Sequence, residues 1–214
     1  MKIYGFPISP FVRKVLVTAL EKGLEVETVP SNPMQPDEDF LACSPYRKIP
    51  AIDDGGFKLA DSSAIAHYLE AKYPEPALLP EDAQARGKAV WFDEVGDTIV
   101  MAAGGPMMFN RFLRAKILGE EPDHAAADAS EQAVAERLPY LETVLGDDGW
   151  LDGEFSIGDI SVASVLKSFD YADWSLDAAA YPKIAGWYGR VSARPAWQQA
   201  AEIETALWTA ATGG

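Results

Sequence analysis

A serine and a proline near the start of the chain have the types and spacing to bind an anion. Ser9 is followed by Pro10, which suits the first position of a helix, and apolar residues then recur at helical spacing. The free N–H groups and the dipole of a helix N-terminus favour negative charge. Arg13 and Lys14 lie in the same first turn, where cations are unfavourable unless an anion is nearby. The segment therefore predicts either an anion site or a plain helix cap with two solvated cations.

Two later segments place constrained or polar residues where an element begins. Ile49-Pro50 opens a predicted strand, and an X–Pro bond in such a place can be cis. Asp61 and Ser62 directly precede a predicted helix, as capping residues do. These positions are the candidate binding residues of the first half of the chain.

Composition excludes several classes of protein. The chain has 214 residues, a formal net charge of -15 and one cysteine. A strongly acidic chain is a poor general binder of nucleic acid or anionic membranes, because phosphate contacts need clustered cations. One cysteine excludes an intrachain disulfide and a thiolate zinc cluster. His67 and His124 have no second ligand at metal spacing, so we expect no metal site.

The chain has no membrane-spanning pattern. No run approaches the roughly 18 consecutive apolar residues of a spanning helix. The first residues, Met-Lys-Ile-Tyr-Gly-Phe, lack a basic region followed by a long apolar stretch and are typical of a strand. We therefore expect a cytoplasmic protein without a secretory signal.

The first half of the sequence predicts an α/β domain. Turn residues and apolar periodicity give the order β-α-β-(α)-β-β-α, in which Asp54-Gly55-Gly56 is a hairpin turn. The prolines between residues 74 and 80 then form a linker. We expect domains at residues 1–76 and 82–214.

The second half predicts helices only. A helix through Trp91 should bend or break at Gly104-Gly105-Pro106, and Ala125 to Leu145 should form one long helix. Ser156-Ile157-Gly158-Asp159 is a capping box with Asp in place of the usual Glu. Two more helices follow, at about residues 181–193 and 195–211.

Together these patterns resemble the glutathione transferase family, over essentially the whole chain. Four family elements occur in the right order: Ser-Pro-Phe-Val at 9 to 12, Arg-Lys-Ile-Pro-Ala-Ile at 47 to 52, Asp-Ser-Ser-Ala-Ile at 61 to 65, and Phe-Ser-Ile-Gly-Asp-Ile at 155 to 160. The resemblance implies a thioredoxin-like first domain, an all-helical second domain and a homodimer. We expect a cytosolic, serine-type member of a bacterial or theta-like class.

The resemblance also implies how glutathione is bound. Pro50 would be cis, and the backbone of Ile49 would pair with the cysteinyl part of glutathione. Asp61 and Ser62 would hold the γ-glutamyl end, since a carboxylate suits its ammonium, and a hydroxyl with a helix N-terminus suits its carboxylate. Lys48 or Arg47 would meet the glycyl carboxylate, or would simply be solvated.

Ser9 falls where the family carries a serine, or a cysteine in thiol-exchanging members. Its hydroxyl would donate a hydrogen bond to the glutathione sulfur and lower the pKa of that thiol. Without a cysteine here no protein mixed disulfide forms, which disfavours glutaredoxin-like chemistry. Tyr4 is a rival hydroxyl, although its place within a strand favours a core position. Cys43 is expected to be a small buried apolar side chain.

The electrophilic co-substrate would bind against the helical domain. Candidate residues near the predicted helix break are Met101, Met108 and Phe109, and Phe11 is a candidate from the first domain. A flexible wall rich in thioether and aromatic groups suits varied apolar substrates. Core or dimer-interface positions are the alternative for each residue.

We therefore expect a detoxification-type transferase that conjugates glutathione to electrophilic small molecules. One alternative is a binding or regulatory module that keeps the fold without the activity. Another is a glutathione-dependent isomerase, dehalogenase or peroxidase. The charge is uneven, with 8 cations and 11 anions in residues 1–80 against 10 and 22 in the rest. Arg13, Lys14, Arg47 and Lys48 should then give the first domain a local positive field suited to anionic glutathione.

Overall fold

A computed structural model describes residues 1–212 of the chain, which form two compact units. Unit 1 combines Met1–Leu79 with the chain from Ser192 onward, and unit 2 is Pro80–Val191. The last helix thus belongs to unit 1, whereas the expected boundary assigned it to the second domain. The reason is its packing on the first helix of the chain.

Unit 1 contains a four-stranded mixed sheet. Its strands are β1 Lys2–Tyr4, β2 Glu27–Val29, β3 Ala51–Asp54 and β4 Phe57–Ala60. They lie in the order β2-β1-β3-β4, where β1 and β2 are parallel and the other pairs are antiparallel. The parallel β1-α-β2 crossover followed by an antiparallel hairpin is the thioredoxin-like arrangement predicted from the sequence.

Ten α-helices accompany the sheet among the described residues. They are α1 Pro10–Glu21, α2 Glu38–Cys43, α3 Ser62–Lys72, α4 Ala83–Glu94, α5 Met101–Met107, α6 His124–Ala135, α7 Leu138–Val144, α8 Ile157–Phe169, α9 Pro182–Ser192 and α10 Pro195–Thr212. A 3₁₀ turn at Asp170–Ala172 follows α8. The predicted order of elements in the first half and the all-helical second half are both confirmed.

The proline-rich segment after α3 is fixed to unit 1. Lys22, the C-cap of α1, pairs with Glu70 of α3 at 2.7 Å and donates to the Tyr73 carbonyl at 2.7 Å. The Glu70 carboxylate also accepts the backbone N–H groups of Leu78 and Leu79 at 3.2 Å. Because the buried charges of this pair are matched and hydrogen-bonded, the chain leaving α3 is held in one path.

Of the bend or break predicted at Gly104-Gly105-Pro106, the break does not occur. π-helical segments at Val95–Val100 and Met108–Leu118 flank α5, so the helical chain continues through the proline. A π-helical turn accommodates a locally altered hydrogen-bond pattern. Gly104 faces the ring of Phe169 in α8 so closely that a Cβ atom would lie 2.1 Å from it. The glycine therefore provides a close helix approach, not a break.

The long helix predicted from Ala125 to Leu145 is two helices. α6 ends at Ala135 and α7 begins at Leu138, with Pro139 in the first turn of α7. Proline fits a first turn but lacks the N–H that a continuous helix needs at that position. The predicted capping box of α8 is confirmed, with reciprocal bonds between Ser156 and Asp159.

Candidate functional site

Ser9 lies at the N-terminus of α1, directly after the loop that leaves β1. It occupies the N-cap position with φ -63° and ψ 126°, yet its side chain makes no capping hydrogen bond. Its backbone N–H donates to the Phe6 carbonyl at 2.9 Å, and its carbonyl accepts the Arg13 N–H at 3.0 Å. The backbone is therefore held, and the half-buried hydroxyl is not used by its own helix. This position suits a donor to an anionic ligand atom.

Gly5 brings the loop before Ser9 against the segment that carries Ile49. Its φ is +137°, and a Cβ atom there would lie 2.6 Å from Val12 Cγ2 and 3.1 Å from Ile49 Cβ. Only glycine reaches this backbone region without strain. The predicted anion-binding segment and the Ile49-Pro50 segment are thereby neighbours in the fold.

The Ile49–Pro50 bond is cis, as the resemblance implied. Ile49 precedes β3, and the paired register of that strand starts at Ala51, so the Ile49 backbone lies beyond the ladder. Ser44 Oγ bridges this segment by accepting the Lys48 N–H at 2.8 Å and donating to the Lys48 carbonyl at 2.7 Å. The side chain of Lys48 is exposed.

Asp61 and Ser62 form the start of α3. Asp61 is exposed and has φ +84°, and its carboxylate accepts the Ala64 N–H at 2.9 Å, so it does cap the helix. Its own N–H donates to the Pro50 carbonyl at 3.3 Å. Ser62 is buried at the first helical position. The hydrogen bond to Pro50 places the cap of α3 beside the cis proline.

The N-terminal turns of α1 and α3 are also joined directly. Lys14 Nζ donates to Ser63 Oγ at 3.0 Å, which links the second turn of α1 to the first turn of α3. Two helix N-termini and the segment before β3 thus meet at one place in unit 1. Since each helix N-terminus carries a partial positive charge, the arrangement favours an anionic ligand with an extended shape.

Arg13 and Lys14 are not the solvated cations of the plain helix cap that the sequence offered as an alternative. Arg13 is only 3% exposed, and its Nε donates to Glu204 Oε2 at 2.8 Å. Lys14 is fully buried and makes the bond to Ser63 already described. These cations hold elements of unit 1 together, and neither is a solvated charge. Arg47 and Lys48 remain as exposed cations beside the site.

Tyr4 is a core residue. It is 3% exposed and packs with Phe40, Cys43 and Ala51 in one apolar cluster. Burial, with a smaller contribution from the neighbouring Cys43, raises the pKa of Tyr4 to about 12. Burial likewise raises the pKa of Cys43, which is unfavourable for a reactive thiolate. Both residues occupy positions that packing explains.

The candidate residues for binding the electrophilic co-substrate differ in how exposed they are. Met101 and Met108 are half-buried, and Phe109 is 50% exposed on the second π-helical segment. Phe11 is half-buried in the first turn of α1 in unit 1. Met107, which lies between the two candidate methionines in sequence, is fully buried instead.

Residues 1–212 contain neither a cluster of potential metal ligands nor a membrane-spanning helix. Over this part of the chain, the histidine, cysteine and acidic side chains form no group of three or more that could hold a metal ion. None of the helices within it has the length and apolar character that crossing a bilayer requires.

Two residues that shape the site were not singled out from the sequence. Gly5 had a visible signal, because a glycine directly after a strand and before a helix often marks a close approach. Glu204 had none, since it lies 191 residues from Arg13 in the chain. Long-range pairs of this kind cannot be found from local spacing.

Replacing Gly5 by alanine is expected to destabilise the protein by about 1 to 3 kcal/mol, because the new Cβ combines an unfavourable φ with a clash at Val12. Thermal unfolding measures this loss. Gly56 is the control, because its φ of +96° also lies outside the left-handed helical region and a Cβ atom there would meet nothing within 4 Å. Equal losses at the two glycines would show that φ alone matters and that the close approach at Gly5 does not.

Two family models match the chain. The glutathione S-transferase N-terminal domain matches residues 3–77, and the glutathione S-transferase C-terminal domain matches residues 111–190. Glutathione S-transferase 3 of Zea mays is 34% identical over 207 residues, covering 93% of this chain and 92% of the relative. The chain belongs to the glutathione S-transferase family.

Solved structures of glutathione S-transferases are also similar to this chain. A glutathione S-transferase from Rhodospirillum rubrum is 29% identical with a TM-score of 0.85, covering 93% of this chain and 90% of that one. A glutathione S-transferase-I bound with lactoylglutathione is 26% identical with a TM-score of 0.84, covering 94% and 98%. The curated relatives with high similarity are mostly plant proteins, so their names do not support the expected bacterial or theta-like class.

Proposed function

We propose that this protein is a glutathione transferase in which the Ser9 hydroxyl activates the glutathione thiol for conjugation to electrophilic, largely apolar small molecules. The observation that carries the proposal is the Ser9 side chain, which sits at the N-terminus of α1 and makes no capping hydrogen bond. A hydroxyl placed there and left unused by its helix is suited to donate to a ligand sulfur.

A hydrogen bond from Ser9 contributes enough free energy to lower the pKa of the glutathione thiol. Bound glutathione supplies a cysteinyl thiol, which is a nucleophile only as the thiolate. A hydrogen bond from Ser9 to that sulfur is charge-assisted, and such bonds contribute about 1.5 to 3 kcal/mol. One pKa unit corresponds to about 1.4 kcal/mol, so Ser9 and the α1 dipole together lower the thiol pKa by about one to two units. The mechanism then requires no general base from the protein.

The remaining contacts in unit 1 fit the other parts of glutathione. The Ile49 backbone lies beyond the paired register of β3, so it is placed to pair with an added extended peptide. Asp61 and Ser62 supply a carboxylate, a hydroxyl and a helix N-terminus for the γ-glutamyl ammonium and carboxylate. The exposed Lys48, with Arg47 as the alternative, meets the glycyl carboxylate.

The two substrates, glutathione and the electrophile, are assigned to the two domains expected from the sequence. Residues 1–76 bind glutathione, and the candidate electrophile contacts in residues 82–214 are Met101, Met108 and Phe109. Phe11 is the candidate electrophile contact within the first domain. The thioether and aromatic side chains of this set adapt to varied apolar shapes. The solved glutathione S-transferase-I, which is similar to this chain, is bound with lactoylglutathione, and this supports a glutathione site here. A cytoplasmic homodimer with a role in detoxification completes the proposal.

Asp61→Asn tests glutathione binding separately from folding. Asparagine caps helices as well as aspartate does and tolerates positive φ, so the free energy of unfolding should change by no more than about 0.5 kcal/mol. The lost negative charge should weaken glutathione affinity about tenfold, because the ammonium loses a charged partner. Calorimetric titration with glutathione measures the affinity. Asp37→Asn, at the exposed cap of α2, is the control that should leave affinity unchanged.

The alternative functions give different results in the same preparation. A binding or regulatory module that has abandoned glutathione would not be retained on immobilised glutathione and would not conjugate it to chlorodinitrobenzene. An isomerase, dehalogenase or peroxidase would show the thiolate and act on its own class of substrate. Failure to bind glutathione at all would contradict the proposal.

A further inference from the structure

Three contacts join α10 and Arg194, the residue directly before it, to the N-terminal part of unit 1. Arg194 and Glu21 form a bidentate pair at 2.6 and 2.7 Å at the far end of α1. Arg13 and Glu204 form a buried pair near the start of α1. Beyond it, the ring of Trp208 meets the ring of Phe6 edge to face, with centroids 6.3 Å apart.

The last two contacts hold the chain on both sides of Ser9. Phe6 precedes Ser9 and accepts its backbone N–H, and Arg13 follows Ser9 and donates its own N–H to the Ser9 carbonyl. Glu204 and Trp208 are four residues apart on α10, so they lie one turn apart on the same face. One face of α10 thus contacts a residue before Ser9 and a residue after it.

We infer that Glu204 and Trp208 of α10 are positioning residues that fix the Ser9 hydroxyl at the glutathione sulfur. This inference rests on the proposed role of Ser9. Arg13 donates both Nε and Nη2 to the same Glu204 oxygen, which sets the rotation of the first turn of α1. The contact between the rings of Trp208 and Phe6 sets the position of the loop that precedes α1. A misplacement well under 1 Å is enough to weaken a catalytic hydrogen bond.

Removing the charge of Glu204 and removing its positioning effect should shift the pKa of the glutathione thiol in opposite directions. The two effects can therefore be separated. The carboxylate of Glu204 is a negative charge that pairs with Arg13, one helical turn from Ser9, so removing it would by itself favour the thiolate and lower the thiol pKa. Loss of the anchor would loosen the Ser9 hydrogen bond and raise that pKa. A rise after Glu204→Gln can therefore come only from the change in position.

The experiment titrates the thiolate absorbance of bound glutathione and measures kcat and KM with chlorodinitrobenzene. Glu204→Gln and the uncharged change Trp208→Leu should each raise the thiol pKa by about half a unit and lower kcat below that pKa about threefold. The KM for glutathione should change less than about twofold, because the γ-glutamyl and glycyl contacts lie elsewhere. In a Ser9→Ala background neither change should shift the thiol pKa further.

Glu21→Gln is the matched control, because it breaks the ion pair between the last residue of α1 and Arg194, which directly precedes α10. Glu21 lies twelve residues beyond Ser9 along α1, or about 18 Å, so it should cost stability and leave the thiol pKa unchanged. An unchanged or lowered pKa in both Glu204→Gln and Trp208→Leu would overturn the inference. If Ser9→Ala itself leaves the pKa unchanged, the proposed role of Ser9 fails first, and the two failures are thereby distinguished.

Discussion

Ser9→Ala is expected to raise the pKa of the bound glutathione thiol by about one unit or more, because the thiolate loses its only proposed side-chain donor. Turnover with chlorodinitrobenzene below that pKa should fall about ten- to a hundredfold, in line with losses when one stabilising donor is removed. Glutathione affinity should stay within about twofold, since a single contact among many is lost. The thiolate absorbance as a function of pH gives the first number, and steady-state kinetics give the second.

The same variant should leave folding almost unchanged. The Ser9 side chain makes no capping hydrogen bond, so its removal should alter the free energy of unfolding by no more than about 0.5 kcal/mol. Ser156, whose side chain does cap α8, is the control residue, and Ser156→Ala should cost about 1 kcal/mol. Ser9→Thr should retain the low thiol pKa. Unchanged thiolate absorbance and turnover in Ser9→Ala would contradict the role given to Ser9.

Asp159→Asn is expected to lower the free energy of unfolding by about 2 to 4 kcal/mol, the largest loss of stability predicted for this protein. Asp159 is fully buried and accepts N–H groups from Leu151 and Ser156 at 2.9 Å and from the Trp187 indole at 2.7 Å. Burial raises the pKa of this carboxyl, and the N–H donors partly offset that effect. An asparagine amide turns two further donors toward these groups and leaves some of them unpaired.

Asp123→Asn provides the comparison. Asp123 caps α6 through the Ala126 N–H at 3.0 Å but is exposed, so the same substitution should cost no more than about 0.5 kcal/mol. Denaturant unfolding measures both variants. Equal losses would mean that the buried carboxylate contributes no more than an ordinary surface cap, contrary to the expectation from its three N–H donors.

Local features of the fold were predictable from the sequence because their causes are local. The capping box of α8 depends on residues three positions apart, and the cis Ile49–Pro50 bond belongs to a recognised segment. The order of strands and helices in unit 1 follows from apolar spacing and turn residues. Predictions at Ser9 were less complete, since a serine before Pro10 is usually expected to cap its helix, and here its side chain does not.

The wrong predictions have tertiary causes. Arg13 and Lys14 have the sequence pattern of solvated cations, but Glu204 and Ser63 provide buried partners from distant parts of the chain. In the local sequence, Gly104 suggests a helix break. In the structure, a glycine is needed there because the ring of Phe169, more than sixty residues later, leaves no room for a Cβ atom. Propensity sets the local preference in each case, and packing overrides it.

The assignment of α10 to unit 1 has a consequence for how the protein is made. Residues 1–79 leave the ribosome before any of α10 has been synthesised, so Arg13 has no Glu204 and the α10-facing side of α1 stays uncovered. Chains generally fold domain by domain from the N-terminus as they are translated. Here unit 1 completes its core only after all of unit 2 has been translated, so the order of folding differs from the order of the sequence.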